Sequence, residues 1–157
     1  MRTAHAVAAF AVAMLISPAA WSDAVKVKET RRINAPVAKV WTLIGGFNDL
    51  DKWHPVVAKS ELDAAGKVRT LTTQDGAKLV EELVGSTDRS YSYRILNSPL
   101  PVADYTSTLQ AASVDANTTE VSWASEFQAK GASEAEAGKV ISGIYTAGFD
   151  NLEKLVK

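Results

Sequence analysis

The sequence predicts an α+β fold in which a curved antiparallel β-sheet wraps around one long C-terminal helix, with two short helices after the first strand. Two observations indicate this fold. Extended segments separated by turn residues fill the chain over residues 56–130. A capped segment with a broad apolar face then runs from Ser133 to the last residues. Because such a face must be buried against something large, we expect it to pack on the sheet.

Residues 1–22 have the layout of a secretory signal peptide. A positive charge near the start precedes an uncharged apolar run over residues 6–16, which is too short to anchor the chain as a membrane-spanning helix. Ala20 and Ser22 place small residues where a signal peptidase requires them. We therefore expect cleavage after Ser22, with Ala20 as the alternative site, a single mature domain over residues 23–157, and a periplasmic or secreted protein. An uncleaved anchor or a buried N-terminal helix is the alternative interpretation.

The composition argues against several classes of function. The chain has 17 Lys and Arg residues against 18 Asp and Glu residues, with no basic run that would bind nucleic acid. It has no cysteine, so disulfides cannot stabilise it and a metal site would depend mostly on carboxylates. It also lacks the glycine-rich nucleotide loops and the Gly-x-Ser-x-Gly motif of hydrolases. We predict no metal, no cofactor, no nucleic-acid partner and no stable membrane anchor.

One strand and two short helices are expected before the main series of strands. Apolar and charged residues alternate over residues 25–33 and predict the strand. Asn34 is the expected N-cap of the first helix, and Gly45-Gly46 ends it. The apolar face of this helix consists of Val37, Val40, Trp41 and Ile44. A second short helix is expected over residues 48–52.

Six antiparallel strands are expected between residues 56 and 130. Ala64-Ala65-Gly66 predicts the first hairpin turn, and Asp75-Gly76 favours a type I′ turn in the second. The later strands are predicted over residues 77–84, 90–96, 103–112 and 118–129. The loop over residues 97–101 is stiff because each of its prolines restricts itself and the residue before it.

The chain closes with a long predicted helix. Ser133-Glu134-Ala135-Glu136 is a capping box, in which the serine accepts from the amide of the third helical residue and Glu136 reaches back. The apolar face of this helix consists of Val140, Ile141, Ile144, Tyr145, Gly148, Leu152, Leu155 and Val156. This is the helix that the sheet is expected to grip.

Several local motifs accompany this order of elements. They are Ala35-Pro36 with Val40-Trp41, Phe47 with Trp53-His54-Pro55, Leu79-Val80-Glu81-Glu82-Leu83, and Tyr91-Ser92-Tyr93. With the closing helix, these motifs resemble the START/Bet v 1-like (SRPBCC) superfamily, and within it the bacterial polyketide cyclase/dehydrase branch. The resemblance covers essentially the whole mature chain. It implies the helix-grip fold and, for most relatives, either the binding of an apolar ligand or no assigned activity.

Three further stretches narrow the resemblance. They are Leu100-Pro101-Val102-Ala103-Asp104-Tyr105, Ala129-Lys130-Gly131-Ala132-Ser133 and Ile144-Tyr145-Thr146-Ala147-Gly148. With the expected signal peptide, they are similar to the exported MxaD-type proteins encoded with bacterial methanol oxidation. That similarity implies a periplasmic methanol dehydrogenase, or its cytochrome electron acceptor, as a protein partner.

His54 would be the only histidine after cleavage and is the first candidate for chemistry. It lies at a helix break between Trp53 and Pro55, where it could sit at a cavity mouth as a general base or a polar anchor. The alternative is a partly exposed histidine whose ring packs on Trp53.

Glu81 is the second candidate. If Leu79 and Leu83 face the interior, the two-residue period of a strand places Glu81 there too. A carboxylate in an apolar cavity has a raised pKa and could act as an acid or a base. The apolar residues on the other face of this strand leave its orientation open, and an ion pair with Arg69 on a neighbouring strand is an equal alternative.

Aromatic residues recur on the predicted strand faces and on the closing helix. They would form the walls of a pocket, with tyrosine hydroxyls supplying the polar contacts that orient a ligand. The predicted ligand-binding set is Phe47, Trp53, His54, Glu81, Tyr93, Tyr105, Trp123, Phe127 and Tyr145. A fully packed core built from the same residues is the alternative.

Three functions are compatible with these observations. The favoured one is a non-catalytic exported domain that binds a small hydrophobic ligand or assists a periplasmic partner, since it requires no residue that the chain lacks. The alternatives are a cyclase- or dehydratase-type enzyme that uses His54 and Glu81 for proton transfer, and a periplasmic lipid carrier. Residues 45–55 are expected to be a gate or contact rim, in which Phe47, Trp53 and His54 ring the entrance.

Overall fold

The structure, a computed structural model, describes residues 23–157, and the signal peptide predicted at residues 1–22 lies outside them. The strands of the described chain are β1 (Val25–Ile33), β2 (Val57–Leu62), β3 (Val68–Thr73), β4 (Lys78–Thr87), β5 (Ser90–Asn97), β6 (Val102–Asp115) and β7 (Thr118–Ala129). The helices are α1 (Val37–Ile44), α2 (Leu50–Trp53) and α3 (Glu134–Leu155). The predicted order of elements is confirmed. Among these residues, no helix has the length and apolar character needed to cross a membrane.

The seven strands form one antiparallel sheet in the order β1-β7-β6-β5-β4-β3-β2. Each strand from β2 to β6 pairs with the next strand along the chain, and β1 pairs with β7. β1 and β2 therefore lie at opposite edges of the sheet, and α1 and α2 connect them. Register shifts within the β2–β3, β4–β5 and β6–β7 pairs mark the irregularities that bend strands in a curved sheet.

Polar contacts hold α3 against β1. Arg31 Nη1 donates to Asp150 Oδ1 at 2.9 Å and lies 3.2 Å from Glu153 Oε2. The Ser142 hydroxyl donates to Glu29 Oε1 at 2.6 Å. Two charged residues of β1, Glu29 and Arg31, therefore contact polar residues of α3.

The N-cap of α1 differs from the prediction. Pro36 is the N-cap, with an extended ψ of 144°, and Asn34 lies two residues before it with an exposed side chain. A residue that precedes proline is disfavoured in the helical conformation, so the helix begins only after Pro36. The assignment of Asn34 as the cap is therefore wrong. The second helix, α2, begins at Leu50, two residues later than predicted.

The hairpin turn between β3 and β4 forms at Asp75-Gly76, as predicted, but it is not type I′. Gly76 has a φ of +87°, whereas Asp75 is absent from the positive-φ residues of the described chain. The Gly76 amide donates to the Thr73 carbonyl at 2.9 Å, and the Asp75 carboxylate accepts from the Thr73 hydroxyl and from the Ala77 amide. These local bonds favour a type I turn that ends in a left-handed glycine.

The buried face of α3 is narrower than the predicted face and rotated from it. Its buried residues are Ala137, Ile141, Tyr145, Gly148, Phe149 and Leu152. Val140 and Leu155, which the prediction placed on this face, are 41% and 45% exposed. Phe149, which the prediction omitted, is fully buried. The predicted capping box is present, with Ser133 Oγ accepting from the Glu136 amide at 3.2 Å.

Gly148 of α3 lies in close contact with the end of α2 and the residue that follows it, His54. A Cβ atom built on Gly148 would lie 2.8 Å from His54 Cδ2 and 3.0 Å from Trp53 Cζ3. Real Cβ atoms essentially never make contacts under 3.0 Å, so a larger residue at position 148 would require the His54 ring or α3 to shift.

We expect Gly148→Ala to lower the free energy of unfolding by about 1–3 kcal/mol, because it overpacks this contact. Alanine is otherwise preferred over glycine within a helix by about 1 kcal/mol. A loss of stability in Gly148→Ala would therefore indicate the close contact, whereas a gain would reflect helix propensity alone. Gly143→Ala is the matched control, because an added Cβ there meets no atom within 4 Å. Urea denaturation should show the control unchanged or stabilised. Equal stabilisation by both substitutions would contradict the contact.

Candidate functional site

A cavity of about 320 Å³ lies between α3 and the inner face of strands β3, β4 and β5. It exists because α3 packs mainly on β1, β7 and α2, which lie to one side of those strands. Its apolar lining includes Leu50, Val57, Leu71, Leu79, Ile95, Leu100, Ile141 and Ile144. The domain therefore encloses space in addition to a packed core.

The exposed residues of the cavity lining mark its mouth, and they are Val56, Asp75, Pro99 and Val140. Val56 follows α2, Pro99 lies in the stiff loop before β6, and Val140 lies on the outer part of α3. These residues were not assigned to a site from the sequence. For Pro99, the sequence signal is the proline-containing loop over residues 97–101. That signal indicates a stiff loop, but the position of the loop beside the cavity depends on the tertiary fold.

Six of the nine predicted ligand-binding residues line the cavity. They are His54, Glu81, Tyr93, Tyr105, Trp123 and Tyr145. The other three, Phe47, Trp53 and Phe127, lie outside the lining. Phe47 and Trp53 therefore do not ring the entrance with His54.

The three residues outside the lining support it from behind. The Phe47 ring lies with its centroid 4.2 Å from the Arg69 guanidinium carbon. Trp53 is 1% exposed, and its ring centroid lies 5.5 Å from that of Trp123. Phe127 stacks on Tyr105 at 5.8 Å. The sequence signal for all three is an aromatic residue on an inward face. This signal does not distinguish a residue that lines the cavity from one that packs behind the lining.

Glu81 and Arg69 form a buried ion pair in the wall of the cavity. The two residues face each other directly in the β3–β4 register. Arg69 Nε donates to Glu81 Oε2 at 2.7 Å, and Arg69 Nη2 lies 2.7 Å from the same oxygen. The orientation left open by the sequence is thereby decided, since Glu81 is 4% exposed and Val84 is 62% exposed.

Arg69 is enclosed on all sides and does not line the cavity. It is 0% exposed, and its Nη1 donates to the backbone carbonyl of Phe47. Its guanidinium carbon lies 5.0 Å from the centroid of the Tyr93 ring, within the range of a cation–π contact. Glu81 does line the cavity. The ion pair therefore presents its anionic member to the enclosed space.

Burial and pairing act in opposite directions on these two groups. Burial raises the pKa of the Glu81 carboxyl, and the neighbouring Arg69 guanidinium offsets part of this shift. For Arg69, burial is the largest single influence and lowers the pKa, but the charge of Glu81, the neighbouring Tyr91 and Tyr93, and the hydrogen bond to Glu81 together leave the pKa raised. Arg69 consequently stays charged, and Glu81 is the group of the pair that can change protonation.

His54 is buried, which contradicts the alternative of a partly exposed ring: it is 3% exposed. Its Nε2 lies 2.8 Å from the Ile144 carbonyl, and the Val56 amide donates to its Nδ1 at 3.3 Å. Because a carbonyl only accepts, the network assigns the proton to Nε2 and leaves Nδ1 as the acceptor. Burial lowers the pKa of His54, with a further contribution from the Arg69 charge. Both ring nitrogens of the neutral imidazole are therefore engaged within the protein.

The tyrosines of the wall are protonated hydroxyl groups in an aromatic cluster. Burial raises the pKa of Tyr93 and Tyr105 well above the ordinary value. Trp123 stacks on Tyr145 with ring centroids 4.4 Å apart and its Nε1 donates to Tyr93 OH at 3.1 Å. In the described part of the chain, no group of three or more His, Asp or Glu residues lies together as a metal site.

A curved antiparallel sheet that grips a long helix around a small apolar cavity defines the helix-grip class of ligand-binding domains. The family described as polyketide cyclase / dehydrase and lipid transport matches residues 24–157, and the chain belongs to this family.

Solved structures of related proteins show the same fold. The protein XoxI from Bacillus cereus is 36% identical, with a TM-score of 0.81 over 83% of this chain and 94% of that chain. An uncharacterised protein from Bacillus thuringiensis is also 36% identical, with a TM-score of 0.80 over 83% and 97%. A START superfamily protein from Mycobacterium smegmatis is 10% identical, with a TM-score of 0.71 over 83% and 96%, and shows the fold alone. No curated protein matches the chain.

These comparisons confirm the predicted superfamily and the helix-grip fold. The narrower similarity to exported MxaD-type proteins stays a prediction.

The ion pair generates a prediction about stability. Arg69→Met or Glu81→Leu alone should each lower the free energy of unfolding by about 3–5 kcal/mol, because each leaves a buried charge without its partner. The double variant Arg69→Met with Glu81→Leu should recover much of this loss, since apolar residues of similar volume replace a buried pair at little cost. Urea denaturation of the cycle measures the coupling. Simple additivity of the single losses would show that the residues do not act as a pair.

His54 generates a prediction about pH. Because its folded pKa lies below the unfolded value of about 6.5, the unfolded chain binds more protons between those two values. The stability that neutral His54 contributes is therefore fully present above about pH 6.5 and is lost as the pH falls through the folded pKa, by at most about 1.4 kcal/mol per pH unit. His54→Gln, which keeps a side-chain N–H donor, should show a shallower decline. Identical acid profiles for the two proteins would rule out this role for His54.

Proposed function

We propose that this protein is an exported, non-catalytic START-like domain that binds one small hydrophobic molecule in the cavity beneath α3. The observation that carries the proposal is the cavity itself, an apolar space of about 320 Å³ with an accessible mouth. Ligand sites are concave and mostly apolar, with a few placed polar groups. Here the polar groups are the eight lining residues with hydrogen-bonding side chains, which are His54, Thr73, Asp75, Glu81, Tyr93, Tyr105, Trp123 and Tyr145.

The volume limits the size of the ligand. A space of about 320 Å³ is near the lower end of the usual range for ligand pockets, about 300–1,000 Å³. It corresponds to the liquid volume of about ten water molecules. A molecule with two fused rings or a short chain is compatible with this volume, whereas a two-chain membrane lipid is not. This disfavours the lipid-carrier alternative.

The geometry of His54 disfavours the enzymatic alternative. A general base needs a nitrogen lone pair directed at the substrate. In His54, the Nδ1 lone pair accepts from the Val56 amide and the Nε2 proton is given to the Ile144 carbonyl. To accept a proton, His54 would therefore have to lose the hydrogen bond from the Val56 amide, and to donate one it would have to lose the hydrogen bond to the Ile144 carbonyl.

Export and a periplasmic partner form the second part of the proposal. Export is supported by the composition of residues 1–22. A methanol dehydrogenase, or its cytochrome acceptor, is the partner implied by the MxaD-type stretches. Two of these stretches, residues 100–105 and 144–148, contribute Leu100, Tyr105 and Ile144 to the cavity lining. Unchanged methanol-dependent respiration after gene deletion, in a host with that pathway, would contradict this part.

Binding of the neutral fluorophore N-phenyl-1-naphthylamine tests the cavity directly. We expect saturable fluorescence enhancement with the wild-type protein and a loss of binding of tenfold or more in Ile144→Trp, because the larger side chain fills the space; tenfold corresponds to about 1.4 kcal/mol. Val114→Trp is the control, because Val114 is 45% exposed at the far end of β6. Equal binding by both variants would place the fluorophore outside the cavity.

A further inference from the structure

The donor and acceptor of each hydrogen bond on the cavity wall can be assigned by starting from the Ala124 carbonyl, which can only accept. Ser107 Oγ donates to the Ala124 carbonyl at 2.9 Å, so it must accept from the Tyr145 hydroxyl at 3.0 Å. Tyr145 therefore gives its proton to Ser107 and accepts the hydrogen bond from Tyr105. Both tyrosine protons are committed within the protein, and neither is available to a ligand.

Tyr93 is different. An indole N–H only donates, so the 3.1 Å bond between Trp123 Nε1 and Tyr93 OH uses the oxygen of Tyr93 as the acceptor. Within residues 23–157, the structure places no acceptor for the proton of Tyr93. Among the three cavity-lining tyrosines, Tyr93 is therefore the one whose O–H can donate to a ligand.

Glu81 supplies the complementary acceptor. Both contacts from Arg69 converge on Oε2, and in the described chain no hydrogen bond reaches Oε1. In the β4–β5 register, Glu81 lies opposite Ile95, and Leu83 lies opposite Tyr93. Glu81 and Tyr93 are thus diagonal neighbours on one sheet face, a separation that long and aromatic side chains can span. One donor and one acceptor face the same part of the cavity.

We propose that the cavity selects a neutral molecule carrying a hydroxyl group, which donates to Glu81 Oε1 and accepts from Tyr93. This inference rests on the proposed binding function and specifies its ligand. An alcohol or a phenol satisfies both groups at once, whereas an ether or a ketone leaves the carboxylate oxygen unpaired. An unpaired polar group in an apolar space weakens binding.

The orientation of the ion pair excludes anions. Arg69 is 0% exposed and outside the lining, whereas Glu81 lines the cavity. A ligand carboxylate would therefore meet the negative member of the pair and be separated from the positive one. The same skeleton is selected as an alcohol and rejected as an acid.

Isothermal titration of the full-length protein with three naphthalene derivatives tests this selection. We expect 2-naphthol to bind about tenfold more tightly than 2-methoxynaphthalene, the ratio for one lost hydrogen bond to a charged group. 2-Naphthoate should bind at least as weakly as the methoxy compound. Tyr93→Phe should reduce the affinity for 2-naphthol. Tyr91→Phe removes a hydroxyl from the same strand, β5, at a residue outside the cavity lining, and it should leave the affinity within about twofold.

N-phenyl-1-naphthylamine separates the possible failures. If it binds in the cavity while 2-naphthoate or 2-methoxynaphthalene matches 2-naphthol, the hydroxyl selection is overturned and the proposed binding function stands. If neither the fluorophore nor any of the three compounds binds, both proposals are overturned. The comparison of ligands on the wild-type protein decides the selection even if Tyr93→Phe does not fold.

Discussion

The buried ion pair between Arg69 and Glu81 is the constraint on which the rest of the ligand cavity depends. Two charges removed from water are tolerated only when they face each other with good geometry. A shift of one residue between β3 and β4 would turn one member to the opposite face. The pair therefore supports the register of this hairpin, and with it the part of the wall that holds Leu71 and Leu79. The same pair determines that an anionic oxygen faces the enclosed space.

The wall of the cavity formed by α3 depends on the neutral His54 and on Gly148, which has no side chain. His54 bridges the segment after α2 to the Ile144 carbonyl of α3, and Gly148 leaves the room for that approach. Because the imidazole is buried and its nitrogens are occupied, His54 acts as a structural connection between two helices. This connection is one of the contacts that hold α3 on β1, β7 and α2, to one side of strands β3 to β5.

Local patterns in the sequence predicted the elements well where the cause is local. The capping box at Ser133 and the turn position at Asp75-Gly76 depend on neighbouring residues, and both are present. The predictions were less accurate where two local signals compete. The preference of Asn34 for the N-cap position competes with the effect of Pro36 on the residue before it, and the effect of Pro36 prevails. They were also less accurate on α3, since a shift of one position separates buried Ile141 from exposed Val140. Hydropathy alone does not resolve that difference.

The sequence by itself determined the fold class and the set of aromatic and carboxyl residues from which a site could be made. Periodicity, capping and turn chemistry are encoded in adjacent residues, so they are readable without coordinates. Only the tertiary structure decided that Glu81 points inward, that Arg69 is its partner, and that Phe47 and Trp53 stand behind the wall. Those facts depend on strand register and on how far α3 stands from the sheet, which are set by contacts between residues distant in the chain.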